Sequence, residues 1–442
     1  MKKFFGKDVL LRSECAGRIY AQVKDLPIID YHCHLDPEKI RTNAKFSDIG
    51  EMWLSGDHYK WRAMRLCGVE EEYITGKAGY HEKFVRYAQI LPLLAGNPLY
   101  YWTHMELQQI FGIDEPLNGE SAERIWQKAN ERLKTLSVSE LFKQYRVEYV
   151  ATTDDPCDDL SAHSRYGTTL VAPTFRPDKF LAFDENALSK LEVVTGRKID
   201  SAAGLVSALE ERLQFFVSRG CKISDHGFLK FPDGYCDDRT AEIIFADRGK
   251  AGAKEREQLF GWLLTKLAKL YKKYNIIMQM HFAVIRNVNA EMYGKCGVDS
   301  GFDIIGSEPK IENIIAFFAR IPDEERPETV LYTLNDTQLP ALACLTGAYR
   351  HIRIGAAWWF NDTVEGIRKN LSVVSEYSAL GTSFGMLTDS RSFSSYARFD
   401  FFRRILSDLL GTLVERGEYD FAAAVQTARA ICYENIKGAL GL

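Results

Sequence analysis

Two histidines one residue apart, His32 and His34 in His32-Cys33-His34, can present both imidazoles on one face of an extended chain, because side chains alternate along a strand. Neutral imidazoles suit zinc and related divalent ions. A carboxylate would complete such a site while leaving positions open for a substrate. Asp389, in Thr388-Asp389-Ser390-Arg391, is the candidate carboxylate. The ordinary alternatives are surface or capping histidines and an aspartate that caps the next helix.

Other residues could act beside this trio. His281, in Met280-His281-Phe282, could face the metal or the substrate, or be a hydrogen-bonded core residue. Asp225 and His226 could orient a ligand from behind, since ligating histidines usually donate their other nitrogen to a carboxylate or carbonyl. Arg176 and Arg391 each offer a fork of donors that could clamp a carboxylate or steady an enolate oxygen, and either could instead pair with a nearby aspartate such as Asp178. His58 and Tyr59 would serve only if the helix they begin leans over the site. Trp358, in Trp358-Trp359-Phe360, is core or lid packing by default, and an indole can also cover a sugar face. Asp154, Asp155, Asn335 and Asp336 are supporting polar candidates.

These residues need a scaffold that brings distant segments to one place. Eight short apolar runs supply it: LPIID (26–30), VEYVATT (147–153), TTLVAPTF (168–175), GCKIS (220–224), NIIMQM (275–280), TVLYTL (329–334), HIRIGAA (351–357) and TSFGMLT (382–388). They are continuously apolar, as parallel strands buried on both faces are, and helix-length stretches separate them. Candidate residues follow many of the runs: His32 and His34 the first, Arg176 the third, Asp225 and His226 the fourth, His281 the fifth, Trp358 the seventh and Asp389 the eighth. That distribution predicts a (β/α)8 TIM-like barrel with its site at the C-terminal ends of the strands, where the eighth run would lie beside the first. No glycine fingerprint follows the first run, which argues against a dinucleotide-binding sheet.

About 110 residues separate the first two runs, too many for one crossover, so a large helical insertion is expected there. Residues 1–36 would form an N-terminal segment and the first strand, 37–146 the insertion over the barrel mouth, and 147–442 the rest of the barrel with C-terminal helices. Within the insertion, Gly56-Asp57 precedes a helical stretch that Gly68 would end, Asn97-Pro98 opens another that Gly112 closes, and Ser137 with Glu140 has capping-box spacing.

The composition fits one large globular enzyme. The 442 residues are 46% hydrophobic and 26% charged with a formal net charge of -4, and no long basic run would bind nucleic acid or an anionic membrane. The N-terminus has no sustained apolar stretch or small-residue cleavage site, so a cytoplasmic protein away from membranes is expected. Nine cysteines, odd in number, dispersed and never in a CxxC pair, argue against a zinc–thiolate site or a disulfide framework. A homo-oligomer is the default for a soluble enzyme.

The ordered set HCHLDP (32–37), GDHYKWR (56–62), TTDDP (152–156), FRPD (175–178), SDH (224–226), HFAVIRN (281–287), WWFND (358–362) and TDSRS (388–392) resembles the uronate isomerases, a divergent branch of the amidohydrolase superfamily, over nearly the whole chain. The resemblance implies one divalent metal ion, usually zinc, on His32, His34 and Asp389 with His281 nearby, and active-site roles for His58, Tyr59, Arg176 and Arg391. It implies a hexuronate substrate, D-glucuronate giving D-fructuronate and D-galacturonate giving D-tagaturonate. Ala397 stands where the family commonly has proline and Phe399 where it commonly has histidine, departures expected to bear on substrate preference.

Such an isomerisation moves a proton between C2 and C1 through an enediol, and Asp389 could serve both carbons. Arg391 with His58 or Tyr59 would steady the enediolate, and Arg176 would contact polar groups of the sugar. The competing reading is a metal-dependent hydrolase or deaminase of the same superfamily, disfavoured because Asn335-Asp336 follows the sixth run, where many such hydrolases carry a histidine ligand. A sugar-acid binding protein without turnover would be expected to have lost a ligand, and all three are present.

Overall fold

The computed structural model describes residues 3–307 and 309–442. Seven of the eight apolar runs form strands: β1 (Ile28–Asp30), β2 (Val147–Ala151), β3 (Thr169–Ala172, resuming as Thr174–Phe175), β4 (Ile223–Phe228), β5 (Ile277–Phe282), β6 (Thr329–Thr333) and β7 (Ile352–Ile354). Neighbours in this order pair in parallel, from β1 through to β7. β3 changes partner at Pro173, which has no amide hydrogen to donate: the part before it pairs with β2 and the part after it with β4. Every residue of β5 and of β6 is buried, as strands covered by helices on one side and filled by side chains on the other must be.

The eighth run departs from expectation. Residues 383–390 form no regular strand, and side chains supply much of the bonding that a ladder would. The Thr388 amide donates to the Asp30 carboxylate at 2.9 Å and its hydroxyl donates to the same carboxylate at 2.6 Å, while the Tyr31 hydroxyl donates to the Gly385 carbonyl at 2.7 Å. Two backbone bonds finish the closure, Asp389 N–H to the His32 carbonyl and His34 N–H to the Ser390 carbonyl, each 3.0 Å. The barrel is closed at the level of the candidate ligands. Gly385 is required by close approach: a Cβ there would lie 2.4 Å from the Ile431 carbonyl oxygen of the C-terminal helical region.

Seven α-helices lie between β1 and β2, from Pro37–Arg41 to Val138–Tyr145. Their ends follow local chemistry. Asn97 caps Pro98–Phe111 by accepting from the Leu99 amide, and Gly112 closes it at φ 67°. Asp57 caps His58–Leu66 by accepting from the Tyr59 and Lys60 amides, and Gly68 follows at φ 78°. At Ser137 the expected capping box does not form: the residue occupies the N-cap, but its hydroxyl pairs with the Ser139 hydroxyl rather than with a backbone amide of the helix. Among the described residues all nine cysteines are free, and no helix is long and apolar enough to cross a membrane.

Asp30 is fully buried, and its removal would strand the Thr388 amide without a partner. Asp30→Ala is therefore expected to cost about 1–3 kcal/mol of unfolding free energy in a denaturant titration, with Asp30→Asn costing less because its amide oxygen still accepts. An Ala variant as stable as the parent would show that other contacts close the barrel.

Candidate active site

The extended chain beyond β1 delivers the two imidazoles. Cys33 N–H donates to the Ala151 carbonyl at 2.9 Å and keeps its own side chain buried against β2, so His32 and His34 turn together to the opposite face. Their Nε2 atoms lie 3.1 Å and 3.0 Å from the same oxygen, Asp389 Oδ1. The other oxygen, Oδ2, accepts from Trp358 Nε1 at 2.7 Å. Asp389 sits at φ 44°, a left-handed conformation that aspartate tolerates better than most L-residues and that aims its carboxylate across the barrel end.

A second group stands behind His32. The His281 ring lies 4.7 Å from the His32 ring, stacks on Tyr332 at 4.3 Å, and donates from Nδ1 to Asp225 at 2.7 Å. Arg176 Nη1 reaches the other Asp225 oxygen at 3.0 Å, and its Nε reaches Asp178 at 3.0 Å. Asp178 also accepts from the Gly227 amide at 2.9 Å and lies 3.3 Å from His226 Nδ1, while His226 Nε2 pairs with the buried Tyr271 hydroxyl. His226 thus braces Asp178 from outside the cavity.

The residues fit a divalent ion. Among the described residues His281 Nε2 is a buried polar atom with no hydrogen-bond partner, a costly state that an ion close beside it would relieve. Asp225 on His281 Nδ1 is the carboxylate–histidine pairing that fixes a ligand's tautomer. Two overlapping sets, His32–His34–Asp389 and His32–Asp225–His281, each bring three ligand atoms within 4.8 Å of one another.

Charge interactions set the protonation states. Burial alone would raise the Asp389 and Asp225 carboxyls. The hydrogen bonds from His32 and His34 outweigh burial at Asp389, and Arg176, His32 and His281 outweigh it at Asp225, so both are held well below the usual carboxylate range. Burial lowers His34 and His281. At His32 it is overcome by Asp225 and Asp389, which raise that imidazole. Burial also pushes His58 down to about 4, against the pull of Asp57. His58 is a neutral imidazole at physiological pH.

A cavity of about 500 Å³ opens over this group, a size suited to a small polar molecule. Of the residues singled out by sequence, His32, His34, His58, Arg176, Asp225, His281, Trp358, Asp389 and Arg391 line it. Tyr59 does not: its hydroxyl turns away and donates to the buried Asp362 at 2.9 Å. Trp358 acts through its indole N–H on Asp389, a role its position as a packing residue did not suggest. Asn335 and Asp336 also fall outside the cavity, because Asn335 caps the short helix after β6 and Asp336 pairs with Lys369. Asp154 is spent on the Thr174 amide and His163, and Asp155 on Lys179. Ala397 and Phe399 are buried in the helix Ala397–Glu415 and do not line the cavity, so neither departure touches a ligand placed there.

Sequence reasoning missed a strap, residues 284–305, that forms part of the cavity wall. A two-stranded antiparallel pair, Val284–Ile285 with Ile304–Ile305, anchors it. Arg286, Asn287, Asp299 and Asp303 face the cavity from it, and Asp299 pairs with Arg391 at 2.8 Å. Trp359, at φ 49°, supplies a further wall. The motif HFAVIRN contained Arg286 and Asn287, but nothing in its spacing distinguished them from loop polarity.

The profile of a family described as glucuronate isomerase matches residues 1–439. A uronate isomerase of Caldicellulosiruptor saccharolyticus is 40% identical, with all of both chains covered. Among solved structures, a uronate isomerase of Thermotoga maritima superposes with a TM-score of 0.96 at 31% identity, covering 99% of this chain and 100% of that one. A glucuronate isomerase of Caulobacter crescentus does so with 0.93 at 28%, covering 99% and 97%.

Trp358→Phe keeps the ring and deletes the donor to Asp389. It is expected to weaken divalent-ion affinity about 10–100-fold in a chelator competition, with an unchanged far-UV spectrum. Unchanged affinity would show that the indole N–H does not orient the carboxylate. An NMR titration of the His58 imidazole is expected to give a midpoint near 4, since burial disfavours its cation, and a midpoint at or above the usual 6.5 would contradict the burial argument.

Proposed function

We propose how this site works from an established premise: the chain belongs to the glucuronate isomerase family and is a uronate isomerase, which interconverts an aldose and a ketose. The substrates we propose are D-glucuronate and D-galacturonate, converted to D-fructuronate and D-tagaturonate. The observation that carries the mechanism is the position of Asp389, one oxygen between His32 and His34 and the other on Trp358. We propose zinc as the resident ion, held by His32, His34 and Asp389 with His281 beside them; when bound it supplies a Lewis acid for substrate oxygens.

The work left to the protein is proton movement with charge control. Asp389 takes the proton from C2 of the open-chain aldose. The C2–H electron pair becomes the C1=C2 bond of an enediolate, and the aldehyde oxygen takes the negative charge. The same carboxylate returns the proton to C1, which the neighbouring position of the two carbons allows. The other proton moves from O2 to O1, so that C2 becomes a carbonyl and the formula is unchanged. Neutral His58, which lines the cavity, can both give and accept that proton.

Arg391 stands two residues beyond Asp389 and, among the described residues, makes a single hydrogen bond, to Asp299, which leaves donors to steady the enediolate oxygen. Arg176 is held by Asp225 and Asp178 at the base of the cavity, where it presents a fixed positive charge to the sugar's hydroxyls. Tyr59 acts indirectly, through Asp362. The nine unpaired cysteines support a cytoplasmic setting.

The test is NMR of zinc-loaded protein with D-glucuronate and, separately, D-galacturonate. Ketose should form in the loaded sample and not in a chelator-treated one, and no conversion of either sugar with the ion bound would overturn the function. Asp389→Asn is expected to lower kcat by about 10²–10⁴-fold and to abolish exchange of the C2 proton with solvent, measured on samples matched for metal content. Retained exchange would remove Asp389 from the role of base.

A further inference from the structure

Two buried arginines of the helix Ala397–Glu415 direct their donors to backbone carbonyls. Arg403 donates to the Lys24 and Pro27 carbonyls at 3.1 and 2.9 Å, at the entry to β1. Arg398 donates from Nη1 to the Thr388 carbonyl at 2.9 Å, at the residue before Asp389. Among the described residues that is its one hydrogen bond: the Asp362 carboxylate stands 3.9 Å off, and Nε is buried without a partner. The position is an unfavourable one for a cation. Arg398 is 2% exposed, and the second residue of a helix meets the positive end of the helix dipole.

What the cation secures there is one peptide plane. The Thr388 carbonyl and the Asp389 amide belong to the same planar unit, and the two are held from opposite sides, the carbonyl by Arg398 and the N–H by the His32 carbonyl at 3.0 Å. Turning that plane would change ψ of Thr388 and φ of Asp389 together. The φ of Asp389 is 44°, a left-handed value that persists only where the surroundings enforce it. With that φ the carboxylate meets His32, His34 and Trp358. Arg398 is itself fixed. Its guanidinium lies over the Trp102 ring at 4.0 Å and the Tyr59 ring at 4.9 Å, and these two rings meet edge to face at 5.6 Å. The Tyr59 hydroxyl donates to Asp362 at 2.9 Å, so the helix that bears His58 rests against the same guanidinium that holds the Asp389 peptide. Arg398 does not line the cavity.

We infer that Arg398 is a positioning residue for the isomerisation: from outside the cavity it locks the Thr388–Asp389 peptide, and with it the left-handed conformation that sets the Asp389 carboxylate for its work. The inference rests on the assignment of Asp389 as base and ligand. Asp30 holds the amide and hydroxyl of Thr388 from β1, while Arg398 holds its carbonyl from the C-terminal helix. Loss of the lock misplaces the carboxylate without removing any group that touches the substrate, so it lowers kcat and metal affinity and leaves KM near the parent's.

The experiment compares Arg398→Met and Arg398→Lys with Arg403→Met and Arg403→Lys. Arg403 is a control of the same kind, a buried arginine of the same helix bonded to carbonyls away from the site. Arg398→Met is expected to lower kcat for D-glucuronate about 10–100-fold in samples matched for metal content, with KM within about threefold. It should weaken zinc binding about 10–100-fold in a chelator competition. It should also change the visible absorption of the cobalt(II)-substituted protein, which follows ligand number and geometry. Arg398→Lys keeps a donor for the carbonyl and should recover part of kcat and of the spectrum. Arg403→Met should lower the unfolding midpoint and leave kcat, zinc affinity and the cobalt spectrum at parental values. If a Met variant does not fold, the two Lys variants carry the comparison, with reduced kcat and an altered spectrum expected in Arg398→Lys and neither in Arg403→Lys. Parental kcat and spectrum in the Arg398 variants, or equal changes in the Arg403 variants, overturn the inference. Failure of the wild type to isomerise any uronate would instead overturn the functional reading beneath it, and the zinc and cobalt readouts, which need no turnover, would still decide whether Arg398 holds Asp389.

Discussion

The pairing of residues 388–390 with the end of β1 is the contact on which the rest of the site depends. It consists of two backbone hydrogen bonds, the Asp389 amide to the His32 carbonyl and the His34 amide to the Ser390 carbonyl, backed by the Asp30 carboxylate on Thr388. A parallel barrel has no covalent device to hold its last strand to its first, and here the strand is too irregular to rely on a full ladder. The same few bonds that close the ring set the spacing of His32, His34 and Asp389. Barrel closure and ligand geometry are therefore one property, and burial of Asp30 shows how much local polarity the fold accepts to secure it.

Around that junction the cavity is charged but balanced. Arg176, Arg286 and Arg391 each face a partner among Asp225, Asp178, Asp303 and Asp299. Pairing keeps the arginines in place before a ligand arrives, which spares the reorganisation that loose side chains would need when charge develops. It also grades them. The most buried pair, Arg176 with Asp225, reaches through His281 toward the ligand cluster, while Arg286 and Arg391, paired with the strap's Asp303 and Asp299, are more exposed.

Much of this was legible from residue order. The apolar runs marked seven strands and the irregular eighth segment, because parallel barrel strands bury both faces and leave an unbroken signature. Alternation placed His32 and His34 on one face, and barrel closure placed Asp389 against them. What stayed hidden depended on side-chain direction. Nothing in Trp358 announced that its N–H would hold Asp389, and nothing in Tyr59 that its hydroxyl would turn to Asp362. The strap was invisible for a related reason: its polar residues act through tertiary pairs, Asp303 with Arg286 and Asp299 with Arg391, whose partners are not at any helical or strand spacing. Asn335 and Asp336, supporting candidates because they end a strand, are spent elsewhere, Asn335 on the cap of the next short helix and Asp336 on Lys369.

The most direct measurement is diffraction at the zinc edge from crystals of the metal-loaded protein. The account predicts one anomalous peak about 2.0–2.2 Å from Nε2 of His32, Nε2 of His34 and a carboxylate oxygen of Asp389. A peak centred on Asp225 and His281 without Asp389, or none at these residues in a protein shown to carry zinc, would contradict it.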